Sequence, residues 1–214
     1  MPMAVKKPKL NILITAGGTR EYIDPVRFLS NASSGRMGYA LARAAVRAGH
    51  KVTLIAAPTA LRPPVKARIL SAVTSEDMFK AVRSEFGRCD CLIMAAAVSD
   101  YAPVKKEKAK IKKGKGKLTL QLKPTQDILA WAGSHKKKGQ ILVGFALEDR
   151  CLKKNAERKL KNKNLDLIVA NTPAAIAAKS SAVWIKGKDS PWQTHKNLSK
   201  IQTAARIIKK ITNP

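Results

Sequence analysis

Short apolar runs and amphipathic stretches alternate along this chain. Leu10–Thr15 (LNILIT), Lys51–Ala57, Cys91–Val98 (CLIMAAAV), Ile141–Leu147 (ILVGFAL) and Asp166–Ala170 (DLIVA) read as buried strands of a parallel sheet. Between them, Met37–Ala48, Ser75–Phe86 and Arg150–Lys163 predict helices, and a short one starts over Gln126–Trp131. Ser33, Ser34 and Gly35 stand where the first helix needs its N-cap, and Gly49 stands where a helix often ends in a left-handed residue. Ser75 is the candidate cap of the second helix, whose Met78, Phe79, Val82 and Phe86 share one side. Leu118–Leu122 alternates like a half-exposed strand. Ser181–Ile185 and a stretch to Trp192 predict antiparallel pieces. A last helix spans about Asn197–Ile211, with Leu198, Ile201, Ala205, Ile208 and Ile211 as its core stripe. The expected fold is α/β: a doubly wound, Rossmann-like, mostly parallel sheet with a small antiparallel extension. No linker-like composition divides the 214 residues, so one domain over 1–214 is expected.

Thr15–Gly38 (TAGGTREYIDPVRFLSNASSGRMG) joins the first strand to the first helix. Its small residues leave backbone N–H groups free at a helix N-terminus, a place suited to a phosphate or carboxylate. The stretch is neither G-x-G-x-x-G nor a P-loop. A loop this long is usually functional or disordered, and Arg20, Glu21, Asp24, Arg27, Asn31 and Ser34 are too varied for a disordered linker. The third strand ends in small residues that let a ligand approach the backbone, then runs into Ser99-Asp100-Tyr101. An acidic residue there suits a metal or ribose, or caps a turn; composition leaves both open.

Charge changes the picture. Lysine and arginine total 42 against 14 acidic residues, a net charge of +28. That favours acidic partners such as nucleic acid, a membrane surface or a polyphosphate, or reflects a basic proteome. Lys105–Lys117 (KKEKAKIKKGKGK) concentrates it in what reads as a mobile exposed flap of about 103–117, either solvated or a clamp on phosphates. The flap lacks aromatic residues, and so the stacking platforms of a single-strand binder. Three cysteines without C-x-x-C spacing argue against a disulfide framework or zinc site and fit reduced cytoplasm. No run approaches the roughly 20 apolar residues that span a bilayer, so no membrane partner is expected.

The assembled motifs resemble phosphopantothenoylcysteine synthetase, the phosphopantothenate–cysteine ligase of coenzyme A biosynthesis. The blocks are ITAGGTREYIDPVRFLSNASSGRMG (Ile14–Gly38), AAAVSDY (Ala95–Tyr101), KIKK (Lys110–Lys113), VGFALE (Val143–Glu148) and KNKNLDLIVAN (Lys161–Asn171). The resemblance implies that a nucleoside triphosphate activates the carboxylate of phosphopantothenate and that L-cysteine attacks the resulting acyl-nucleotidyl anhydride. It implies Asn31 and Lys110 as catalytic residues. Ala96, Asp100, Lys110, Phe145, Lys159 and Lys163 become nucleotide contacts, Asp100 also meeting Mg2+. Thr125, Gln126, Asp127 and Ile128 stand where bacterial members commonly have Asn-Pro-Asp-Ile, a departure at the base contacts. Arg27, Ser33, Ser34 and Gly35, with Asn31, are the expected substrate contacts, since an Arg fork and helix N-terminal amides both suit a phosphate. CTP rather than ATP is the expected nucleotide, and a homodimer the expected assembly. Only Met1–Lys9 precede the first strand, so a stand-alone ligase is expected, with no flavin implied. Two other classes compete: a nucleic-acid-binding protein using the charge and the lysine-rich loop, and a nicotinamide-dependent oxidoreductase, which the missing G-x-G-x-x-G weakens.

Overall fold

The computed structural model describes residues 8–176 and 178–212. β1 (Asn11–Ala16) leads into a hairpin of β2 (Arg20–Tyr22) and β3 (Phe28–Ser30), then α1 (Arg36–Arg47) and β4 (Lys51–Ala56). β5 (Ala67–Ser71), α2 (Ser75–Phe86) and β6 (Cys91–Met94) follow. β7 (Tyr101–Pro103) and β8 (Leu122–Pro124) bracket the lysine-rich segment as a second hairpin. Then come α3 (Ile128–Ser134), β9 (Ile141–Leu147), α4 (Leu152–Asn162), β10 (Leu167–Asn171) and a single 3-10 turn at Pro173–Ala175. β11 (Ser180–Gly187), β12 (Gln193–Ser199) and α5 (Lys200–Thr212) complete the described chain.

Eight strands form one sheet in the order β12-β11-β10-β9-β6-β1-β4-β5. From β5 to β10 neighbours run parallel; β11 and β12 are antiparallel, the predicted extension. β1 pairs with both β4 and β6, so the winding direction reverses between β1 and β6. The period of two along β1 decides which layer each residue joins. Ile12 and Ile14 pack with Leu41 of α1 and Ile207 of α5, while Leu13 faces Met78 and Val82 of α2. Each such buried side chain contributes on the order of 1.5–3 kcal/mol relative to exposure.

Several local expectations shift. Of the three residues expected at the α1 N-cap, Gly35 takes the place, in the left-handed region at φ 74, and no side chain caps the helix. α2 is capped by Thr74, not Ser75: the Asp77 amide donates to Thr74 Oγ1 at 3.1 Å and the Thr74 amide to Asp77 Oδ2 at 2.9 Å. The third strand ends at Met94 rather than Val98, because the next residues turn toward β1, with the Ala97 amide donating to the Gly17 carbonyl at 2.8 Å. The ladder predicted over Leu118–Leu122 begins only at Leu122; Leu118 is exposed and faces no apolar layer. Asn197–Ser199 belong to β12, so α5 starts later and its inward stripe is Thr203, Ala204, Ile207, Ile208 and Ile211, leaving Ile201 and Ala205 outside. β5 and the β2–β3 hairpin were not legible as elements: β5 is a half-solvated edge, and the hairpin is three residues a side. Among the described residues no helix is long and apolar enough to cross a membrane.

Candidate functional site

A cavity of about 840 Å3 opens over the carboxyl ends of β6, β9 and β10, beside the point where the winding reverses. Ligands bind at such a reversal in open α/β sheets because adjacent loops there diverge to opposite faces. Its floor is Ala95–Val98. Two fully buried threonines set that floor: the Ala96 amide donates to Thr15 Oγ1 at 3.1 Å, and the Ser99 amide to Thr19 Oγ1 at 2.9 Å. One wall is the stretch 31–37 entering α1. That helix lies close on β1 because residue 38 is glycine: a Cβ there would meet Ala16 Cβ and come within 2.8 Å of the Thr15 carbonyl oxygen.

The opposite wall carries positive charge from α4. Lys159 Nζ donates to the Phe145 carbonyl at 2.7 Å, and Lys163 Nζ lies 2.7 Å from Asp127 Oδ2. Burial, and next the Lys163 charge, push the Lys159 ammonium below the ordinary lysine value, although Asp127, Glu148 and Asp100 oppose this. A cation held in that state gains most from an incoming phosphate. Asp127 also caps α3, its Oδ1 accepting from the Ala130 amide at 3.0 Å. Burial raises its carboxyl, but the Lys163 and Ala130 contacts outweigh that and hold it below the usual range.

Asn31 Nδ2 donates to the carbonyls of Ala97 and Val98 at 3.3 and 3.1 Å, so the side-chain amide bridges the α1 wall and the floor. Thr125 is tied into the Ser99–Asp100 turn, its Oγ1 donating to the Ser99 carbonyl at 2.6 Å and its amide to that of Asp100 at 2.9 Å. Glu148 Oε2 is engaged by Asn155 at 2.8 Å. Of the cavity's carboxylates, Asp100 alone has no hydrogen-bond or ion-pair partner among the described residues.

The structure therefore brings Asn31, Ser33, Ser34, Gly35, Ala96, Asp100, Thr125, Gln126, Asp127, Ile128, Phe145, Lys159 and Lys163 around one cavity. Arg27 and Lys110 do not line it. Arg27 Nη1 instead pairs with Asp24 Oδ2 at 3.2 Å and its Nη2 donates to the Ile111 carbonyl at 3.2 Å, beside the flap. Lining residues that sequence reasoning missed include Arg36 and Lys200, at the starts of α1 and α5. Nothing separates them by type from the other basic residues; only the meeting of two helix starts does. Burial and the Arg36 charge hold the Lys200 ammonium below its ordinary value. The cysteines lie elsewhere: Cys89 and Cys91 are buried, with burial pushing the Cys89 thiol up to about 12, and Cys151 is exposed.

A parallel sheet with a cavity at its reversal, a helix N-terminus on one wall and lysines on the other defines an α/β domain whose cavity suits an anionic ligand. Residues 8–213 match the model of the DNA/pantothenate metabolism flavoprotein C-terminal domain, and the chain belongs to that family. It is 44% identical over 206 residues to the coenzyme A biosynthesis bifunctional protein CoaBC of Bacillus subtilis, covering 94% of this chain and 50% of that protein. It is 43% identical over 205 residues to a cysteine/cysteine sulfinic acid decarboxylase from an unknown prokaryotic organism, covering 94% of this chain and 57% of that one. The chain thus spans about half the length of the curated relatives it matches. The crystal structure of the C-terminal domain of a CoaBC superposes with a TM-score of 0.83 at 39% identity, covering 96% of this chain and 95% of that one. The resemblance read from the five sequence blocks is thereby borne out at the level of the family.

Proposed function

We propose that this chain is a phosphopantothenate–cysteine ligase that uses a nucleoside triphosphate, CTP in preference to ATP, and releases pyrophosphate and the nucleoside monophosphate. The observation that carries this reading is the cavity itself: the α1 N-terminus, the Lys159–Lys163 pair, the Asn31 amide and the Asp100 carboxylate all line it. Two anionic substrates that must meet need cationic ground on both sides.

In the first step a carboxylate oxygen of phosphopantothenate attacks the α-phosphorus, the bond to the bridging oxygen breaks and pyrophosphate leaves. Lys159 and Lys163 stabilise the charge that accumulates on the phosphates. Phe145 packs on the base or sugar, with Ala96 against it, while Gln126 and Ile128 border the base alongside Asp127 and Thr125. Asp100 suits Mg2+, an ion that takes one or two carboxylates and completes its shell with phosphate oxygens and water; no three-carboxylate or histidine cluster is found among the described residues. When bound, that ion neutralises charge on the leaving pyrophosphate.

In the second step the cysteine amine attacks the acyl carbon, the nucleoside monophosphate departs and the amine gives up a proton. Asn31 Nδ2 exchanges one of its carbonyl partners for the acyl oxygen and stabilises the charge developing there. Ser33, Ser34 and Gly35 receive the phosphate of phosphopantothenate at the helix N-terminus. Arg27 and Lys110, which lie off this cavity, serve the cavity of a second copy in a homodimer. The domain works as one unit in the cytoplasm. The nucleic-acid reading is not favoured, because the relatives the chain matches are named for coenzyme A biosynthesis.

The test is pyrophosphate release with phosphopantothenate, magnesium and CTP or ATP, with and without cysteine. Release that requires phosphopantothenate and is faster with CTP is expected. No release with either nucleotide overturns the reading.

A further inference from the structure

The lysine-rich segment is tied to the β2–β3 hairpin at two places. The Glu107 amide donates to the Ile23 carbonyl at 2.9 Å. At Ile111 both backbone groups are taken: its N–H donates to Asp24 Oδ2 at 3.2 Å, and its carbonyl accepts from Arg27 Nη2 at 3.2 Å. Lys108, Ala109 and Lys110 form the span between these ties. Beside it, Lys106 Nζ stands 5.1 Å from the centre of the Tyr22 ring.

The two oxygens of Asp24 divide between separate tasks. Oδ1 accepts from the Val26 and Arg27 amides, both at 2.8 Å, and so makes the hairpin turn. Oδ2 accepts from the Arg27 guanidinium and from the Ile111 amide, each at 3.2 Å, and so reaches the flap. A turn of the first kind needs one acceptor oxygen, which asparagine supplies equally well. The side chain is fully buried, and burying a charge is expensive without partners for both oxygens. What calls for a carboxylate here, rather than an amide, is the Oδ2 side.

We propose that Asp24 is a positioning residue: with Arg27 it clamps the Ile111 peptide unit and fixes the backbone from which Lys110 reaches the reacting phosphates in the cavity of a second copy. The catalytic half of this rests on the ligase reading; the clamp itself does not. Because the clamp grips main-chain atoms, the side chain at 111 is free to vary, whereas the carboxylate at 24 is not.

Asp24→Asn separates the two tasks, since the amide oxygen keeps the turn while the NH2 group faces the Ile111 N–H as donor against donor. Ile111→Pro removes the same N–H from the other side, outside any helix or strand. Ile111→Ala leaves the clamp whole. The measurements are limited trypsin digestion of the full chain, with cleavage sites read by mass spectrometry, alongside kcat and KM for pyrophosphate release and the thermal midpoint. Cleavage after Lys108 and Lys112 should speed up about tenfold in Asp24→Asn and Ile111→Pro but not in Ile111→Ala, as loss of a charge-assisted bond predicts, and cleavage after Lys110 should rise likewise in Asp24→Asn, the Lys–Pro bond of Ile111→Pro being closed to trypsin. In the same two variants kcat should fall about tenfold while the nucleotide KM stays within about twofold, the signature of an interaction used in the transition state alone. Equal cleavage in all four proteins overturns the clamp. Faster cleavage with unchanged kcat overturns the positioning role and leaves the ligase standing. A wild type without turnover overturns the ligase reading and the positioning role with it, while cleavage still decides the clamp.

Discussion

Lys163 Nζ stands 2.7 Å from Asp127 Oδ2, joining the C-cap of α4 to the N-cap of α3 at the edge of the cavity. Asp127 thus performs two jobs, and substitutions separate them. Asp127→Asn keeps a cap and loses the ion pair, which is half-exposed on the acidic side and worth about 0.2–1 kcal/mol. Asp127→Ala loses both, adding about 0.5–2 kcal/mol for the cap. Urea unfolding at neutral pH should order stability as wild type, Asn, then Ala. The carboxyl is held below its ordinary value, so its contribution is present above the usual carboxylate range and disappears as pH falls through the depressed value. The gap between wild type and Asp127→Asn should therefore close in acid.

Lys159 gives the opposite sign. Burial and the neighbouring Lys163 lower its ammonium, so the folded protein carries a cost for keeping it charged at neutral pH, and that cost is lost as pH rises. For a phosphate ligand the charged form is the useful one. The nucleotide KM should rise on the alkaline side at a pH below that of an ordinary lysine. Lys159→Arg should move that break upward, because guanidinium stays protonated. An unshifted break in the arginine variant would take Lys159 out of the nucleotide site.

Asn31→Asp should block the second chemical step while sparing the first. The carboxylate keeps the shape of the side chain but turns an oxygen toward the Ala97 and Val98 carbonyls, where Nδ2 now donates. Loss of an oxyanion donor typically costs about 10²–10³ in kcat. Rapid-quench kinetics should show near-normal release of the first equivalent of pyrophosphate without cysteine, followed by turnover slower by about that factor with it.

Gly38→Ala tests how the wall is built. The added methyl meets Ala16 Cβ and the Thr15 carbonyl, so α1 must move away from β1. Overpacking of this kind costs about 1–3 kcal/mol, and it displaces the Ser33–Gly35 wall as well. Chemical denaturation should show the lost stability, and the phosphopantothenate KM should rise in the same protein.

Much of this molecule was legible in its own residues. The apolar runs at Ile12–Ile14, Leu92–Met94, Leu142–Val143 and Leu167–Ala170 announced buried parallel strands, because only a strand covered on both faces tolerates such uninterrupted hydrophobicity. The blocks around Asn31, Asp100 and Lys163 likewise pointed to the residues that now share one cavity. Tertiary structure decided what periodicity does not encode. Whether residue 201 faces the core depends on where β12 releases the chain into α5, and strand pairing with β11 sets that point. That Arg36 and Lys200 line the same cavity follows from packing α5 against α1, far apart in sequence. That Asp24, read as one polar residue in a loop, holds Ile111 across the hairpin depends on contacts whose partners local sequence cannot name. Local sequence sets which residues must be buried; only the closed chain sets which polar groups then meet.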